Sequence, residues 1–191
     1  MSVSLGVVHR LLVVALFGST TLLPPTLWSV ERNPPNSEVA AQLDAANAEA
    51  AELARDTDEM TSLLHNDVSW QLHAEMLSRI KDHVNNMGRI VAKLQEEREE
   101  ASPWQQQAID RMVPMLKEIA ANTTAAIEHL NQNQLRPTTP DYAEYLQQNA
   151  DTSQELADMI SAVNQYGRER TKLERLQDKI EAPVSLAGST K

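Results

Sequence analysis

The stretch SEVAAQLDAANAEAAELARDTDEMTSLL, residues 37–64, decides the fold. Its apolar or small residues fall at Val39, Leu43, Ala46, Ala50, Leu53, Thr57, Met60 and Leu64, with spacings that alternate between 4 and 3. A repeat of this kind puts one row of side chains on one side of an α-helix, the pattern of a helix that packs lengthwise against others. A strand needs a period of 2, and nothing in this stretch supplies it. Ser37 precedes the first apolar residue and is the expected N-cap of a helix beginning at Glu38.

The same seam continues outward. His65-Asn66-Asp67 reads as a tight break, with Asp67 or Ser69 capping a second helix. That helix carries Trp70, His73, Leu77, Ile80, Val84, Met87, Val91 and Leu94, and it ends in the charged run Glu96 to Glu100. Ser102-Pro103-Trp104-Gln105 then gives an N-cap, a proline at the first helical position and a capping-box glutamine. The third seam runs through Ile109, Met112, Leu116, Ile119, Thr123, Ala126 and Leu130. Pro114 interrupts it and should kink the helix, because it removes the backbone donor that Asp110 would receive. Asn131 to Pro140 is a polar loop with two prolines, and Thr139-Pro140 opens a fourth helix. Its seam reads Tyr142, Tyr145, Asn149, Thr152, Leu156, Met159, Val163, Tyr166, Arg170, Leu173, Gln177 and Ile180, and Pro183 stops it.

Four amphipathic segments with short connections predict an all-α fold, an antiparallel up-down-up-down four-helix bundle over residues 37–181. The first three helices come to roughly 43 Å each, and the fourth overhangs them by about ten residues, ~15 Å. Asn, Thr and Ala at seam positions thin the core, so two helical hairpins that dimerise to complete it form the alternative arrangement. The isolated glycines Gly88 and Gly167 read as close-packing points inside helices.

Composition agrees with helix and narrows the function. Aromatics are 4% of 191 residues and glycines number 5, too few of either for an aromatic-rich, turn-rich β-sandwich. Lys and Arg number 17 against 27 Asp and Glu, for a net charge of −10, which argues against nucleic acid as a partner. Cysteine is absent, which excludes disulfides, catalytic thiols and cysteine-held clusters or zinc.

The N-terminal residues 1–29, MSVSLGVVHRLLVVALFGSTTLLPPTLWS, read as a signal peptide with an uncertain cleavage site. His9 and Arg10 give a weak basic start, and Leu11 to Phe17 form an apolar run shorter than a membrane span. Pro24 and Pro25 end it. Residues 30–36, with Pro34-Pro35, form a stiff linker, and residues 182–191 a disordered tail. The expected location is exported, periplasmic or secreted in a bacterium, with membrane contact only through an uncleaved leader.

No Glu-x-x-His pair, His-Glu-x-x-His, GxSxG or phosphate-binding glycine loop occurs, so the expectation is a non-catalytic protein without a cofactor. Two clusters remain. His65, His73, His129, Met60 and Glu144 fall near one end of the expected bundle, and imidazole, thioether and carboxylate donors together suit a metal, or a haem held by His and Met. The plainer reading makes His73 a buried histidine hydrogen-bonded to Tyr145, with the others on the surface. At the other end, Arg168, Arg170, Lys172, Arg175 and Lys179 of helix 4 face the acidic end of helix 2 and balance it. Beyond Gly167 the apolar residues Leu173, Leu176 and Ile180, with Arg170 on the seam, form a partner-binding stripe on the overhang. The sequence therefore predicts an interaction or scaffold module in the cell envelope, binding a protein partner or itself through helix 4. The alternative is a metal- or haem-binding bundle.

Overall fold

The computed structural model describes residues 36–66 and 68–181. The expected signal segment, the expected linker up to residue 35, Asp67 as a cap and the expected tail from residue 182 lie outside the described residues. Within them the protein is all-helical: α1 (Ser37–Ser62), α2 (Trp70–Glu96), α3 (Pro103–Gln132) and α4 (Pro140–Glu181), with short 3-10 turns at Leu63–His65 and Arg98–Glu100. No strand occurs among the described residues, and none of their helices is long and apolar enough to cross a membrane.

The helix starts follow from local chemistry. Asn36, rather than Ser37, caps α1, its side-chain oxygen accepting from the backbone N–H groups of Glu38 and Val39. Ser69 caps α2 through the N–H of Leu72. At α3 the side chain of Gln105 accepts from the Ser102 backbone N–H at 3.0 Å and from its hydroxyl at 2.9 Å. The Thr139 hydroxyl accepts from the Tyr142 N–H at 3.3 Å and starts α4. Each of these side chains answers a donor that the first helical turn leaves unpaired. Pro114 is accommodated inside a helix that remains continuous around it.

α1 packs on α2 and α4, and α3 packs on the same two. A single apolar core draws on all four helices, so one chain closes it without a second copy. Val39, Leu43, Ala46, Ala50, Leu53, Thr57 and Met60 of α1 are buried as the spacing requires. In α3 all seven predicted seam residues are buried, with Gln105 and Ala108 added. α4 departs from the expectation. Of its predicted seam, Tyr142, Asn149, Leu156 and Met159 are buried and Tyr145, Thr152 and Val163 only partly covered; the buried line instead runs Tyr142, Leu146, Asn149, Ser153, Leu156 and Ile160. The spacing is still 4 and 3, but in the opposite phase. The cause is that α4 lies against both α1 and α3, which widens its buried stripe and brings Leu146 and Ile160 under cover.

Polar contacts fix how the helices align. The Asn164 side chain of α4 donates to the Leu43 carbonyl of α1 at 3.0 Å. Glu49 of α1 meets His83 of α2, and Asp56 meets Arg79. Gln105, at the start of α3, holds both the N–H and the carbonyl of Asn36 at the start of α1, each at 3.2 Å. Of the two glycines, only Gly167 is a close-packing point: a Cβ there would stand 2.9 Å from the Trp104 ring. Gly88 has open space around it, which corrects the expectation of contact.

Candidate functional site

His73 enters the core on the first turn of α2 and is fully buried, as is Tyr142 on the first turn of α4. The Tyr142 hydroxyl and His73 Nδ1 share a hydrogen bond of 3.2 Å. The partner is therefore Tyr142 and not Tyr145. The buried line of α4 passes through 142 and 146, so Tyr145 sits at the flank, one turn on. The two rings meet edge to face with centroids 5.6 Å apart. On its other side Tyr142 is stacked by His129 of α3 at 5.4 Å. His129 Nε2 is 2.9 Å from the Thr139 hydroxyl, which ties the end of α3 to the start of α4.

Burial sets the protonation of this cluster. Desolvation lowers the pKa of His73, and the same cause raises that of Tyr142 well above the ordinary phenol range. Both rings are therefore neutral at physiological pH. In either tautomer of His73, Nε2 is buried with no hydrogen-bond partner among the described residues. The other members of the predicted metal set are not drawn in. His65 lies exposed on the turn after α1, and Glu144 lies exposed on α4, where Gln148 bonds it. Met60 is fully buried within the core. Among the described residues no three His, Asp or Glu side chains group closely enough to hold a metal ion.

A second polar group was not foreseen from sequence. Asp56 is buried on α1, and Arg79 reaches it from α2 at 3.4 Å. His83 bridges two carboxylates, with Nδ1 at 2.6 Å from Glu49 and Nε2 at 3.5 Å from Asp56, and Asn86 adds a bond to Glu49 at 2.9 Å. A buried carboxylate is costly unless charge and hydrogen bonds compensate it, and these neighbours do. The network pairs α1 with α2; one imidazole between two carboxylates is a structural clasp.

The predicted partner-binding stripe lies where α4 outruns its neighbours. α4 has 42 residues against 26, 27 and 30 for the others. No described residue after Asn164 is buried. Tyr166 still meets the Trp104 ring at 5.5 Å, but Leu173, Leu176 and Ile180 are exposed. Arg170 stands near the Tyr166 ring and pairs with Glu174 at 3.6 Å. The expected balancing of helix 4 cations by the acidic end of α2 is not what holds them. Lys172 pairs with Glu169 of its own helix, and Arg168 with Asp44 of α1. At the end of α2, Arg98 binds Asp110 of α3 through two bonds of 2.8 and 2.7 Å, and Glu97 lies beside Glu38, where burial and then that like charge raise its pKa. No protein-family profile, curated protein or solved structure matches the chain.

Proposed function

We propose that the chain is an exported, non-catalytic interaction module of the cell envelope, an up-down-up-down four-helix bundle whose long α4 docks a second copy of the same chain. The observation that carries this reading is the exposure of Leu173, Leu176 and Ile180 at 61%, 47% and 84%. With Tyr166 they keep a heptad-like spacing, so the seam outlives the packing that it serves elsewhere in the chain. A continuous apolar stripe in water marks a docking surface. The flanking charges favour self-pairing: Arg170 and Lys179 stand along the overhang among Glu169, Glu174 and Asp178. A two-fold antiparallel pairing sets each sign against the other and buries both stripes at once. The up-down topology draws support from the contacts of Leu43, early in α1, with Asn164, late in α4, and of Glu59, late in α1, with Arg79 in the first half of α2. Export rests on the basic residues His9 and Arg10 followed by the apolar Leu11–Phe17 run.

Light scattering on the eluting protein tests the reading. The chain is expected to move from monomer to dimer as concentration rises, and a chain ending at Gly167 to remain a folded monomer. A full-length chain that stays monomeric throughout overturns self-pairing, and capture of a different envelope protein by the stripe replaces it with a hetero-partner.

A further inference from the structure

The side of α4 about a quarter-turn from the apolar stripe carries a different feature. A cleft of about 310 Å³ lies between the start of α1, the start of α3 and α4. This is near the lower end of the ~300–1,000 Å³ usual for small-molecule sites. Its wall and floor include Leu43 and the Trp104 ring, and its rim carries Arg168, Lys172 and Arg175. At 3.6 residues per turn these three cations fall within about 60° of one another, centred roughly 100° from Leu173, Leu176 and Ile180, with Lys172 the one beside Leu176. One carboxylate, Asp44, also lines the cleft.

We propose that this cleft binds a small organic anion with an apolar body, of the alkyl-carboxylate class. Three observations converge. First, three cations face one carboxylate, a local surplus of positive charge on a chain whose net charge is −10. Second, the cations are loosely engaged: Arg168 to Asp44 and Lys172 to Glu169 are both 3.9 Å, beyond hydrogen-bond reach, between exposed side chains, and Arg175 forms no ion pair with a described residue. An incoming carboxylate displaces little in order to pair with them, and Arg offers it two parallel N–H donors. Third, the surface below the rim is mostly apolar, with Asn164 and Thr171 as its polar members, and the indole N–H of Trp104 is buried without a hydrogen-bond partner among the described residues. A carboxylate at the rim with an alkyl chain along Leu43 and Trp104 meets both chemistries at once. Neither a bare anion nor a neutral hydrocarbon does so.

Calorimetric titration of the full chain with decanoate, below its micelle concentration, tests the assignment, with acetate and decanol as controls. The expected result is one-to-one binding of decanoate, with acetate and decanol each at least tenfold weaker. Reversing the rim with Arg168→Glu, Lys172→Glu and Arg175→Glu is expected to weaken decanoate at least tenfold. Ala40→Phe, which fills the cleft from α1 and leaves the rim charges in place, is expected to do the same while circular dichroism reports unchanged helix. Leu173→Ala with Leu176→Ala is expected to leave decanoate binding unaltered, which separates this site from the pairing stripe. Absence of decanoate binding, equal binding of decanol or acetate, or indifference to both the rim reversal and Ala40→Phe overturns the proposal.

Discussion

The two ends of α4 obey one sequence rule and have opposite fates. From Tyr142 to Ile160 the residues at alternating spacings of 4 and 3 are buried against α1 and α3. From Tyr166 to Ile180 a similar spacing continues, and Leu173, Leu176 and Ile180 face solvent. Periodicity thus marks a face made for packing without saying what packs on it. In the first half the partner lies in the same chain. In the second half the neighbouring helices have ended, and the stripe has no cover among the described residues.

The largest expected effect comes from trading one half against the other. Leu156→Ala, in the buried half, should lower stability by about 2–5 kcal/mol because it removes transfer energy and leaves a cavity. Leu173→Ala, read by urea unfolding at a concentration too low for pairing, should change it by no more than about 0.5 kcal/mol. A comparable loss at both positions would mean that the overhang is packed within its own chain.

A smaller effect is expected where the buried half begins. Tyr142→Phe strips the hydrogen bond from His73 and should cost about 1–3 kcal/mol, since a buried imidazole nitrogen then goes unanswered. The same histidine gives a pH signature. Its pKa in the folded chain lies below the ordinary 6.5. As pH falls through 6.5 the unfolded chain takes up a proton that the folded chain refuses, so stability should drop on acidification and recover above neutrality. His73→Gln, which cannot titrate, should flatten that part of the stability–pH curve; an unchanged slope would show that His73 is not its source.

The glycines sharpen the contrast at the smallest scale. Gly88→Ala enters open space within a helix and should stabilise by about 1 kcal/mol. Gly167→Ala drives a methyl group against the Trp104 ring and should forfeit that gain. Thermal melts of the two variants compare them directly, and equal stabilisation would mean that the Trp104 contact does not constrain α4.

Much of this was legible from the chain alone. The rows at Val39 to Met60 and Ile109 to Leu130, the breaks around residues 66–69, 100–103 and 131–140, and the Ser102–Gln105 start all follow from spacing and caps, which are local. The phase of α4 was not, because two rows of apolar residues, through Tyr145 and Val163 or through Leu146 and Ile160, satisfy the same period. Only packing against two helices at once chooses between them. Asp56 escaped notice for a related reason. A carboxylate beside a seam reads as solvated, and what meets it is Arg79 and His83, more than twenty residues further along the chain and brought back by the turn between α1 and α2. Likewise the Gln105 capping box was readable, but its grip on Asn36, 69 residues earlier, was not. The five-residue metal set failed to gather because shared depth along helices does not give a shared face: His65 and Glu144 point into solvent while His73 turns inward.

Sedimentation equilibrium of the full chain beside the Leu173→Glu, Leu176→Glu, Ile180→Glu variant tests the central claim most directly. The unaltered chain is expected to show a reversible monomer–dimer equilibrium and the variant to be a monomer at every concentration, with the same urea midpoint for both when dilute. A dimer that survives the three charges, or an unaltered chain that never dimerises, contradicts it.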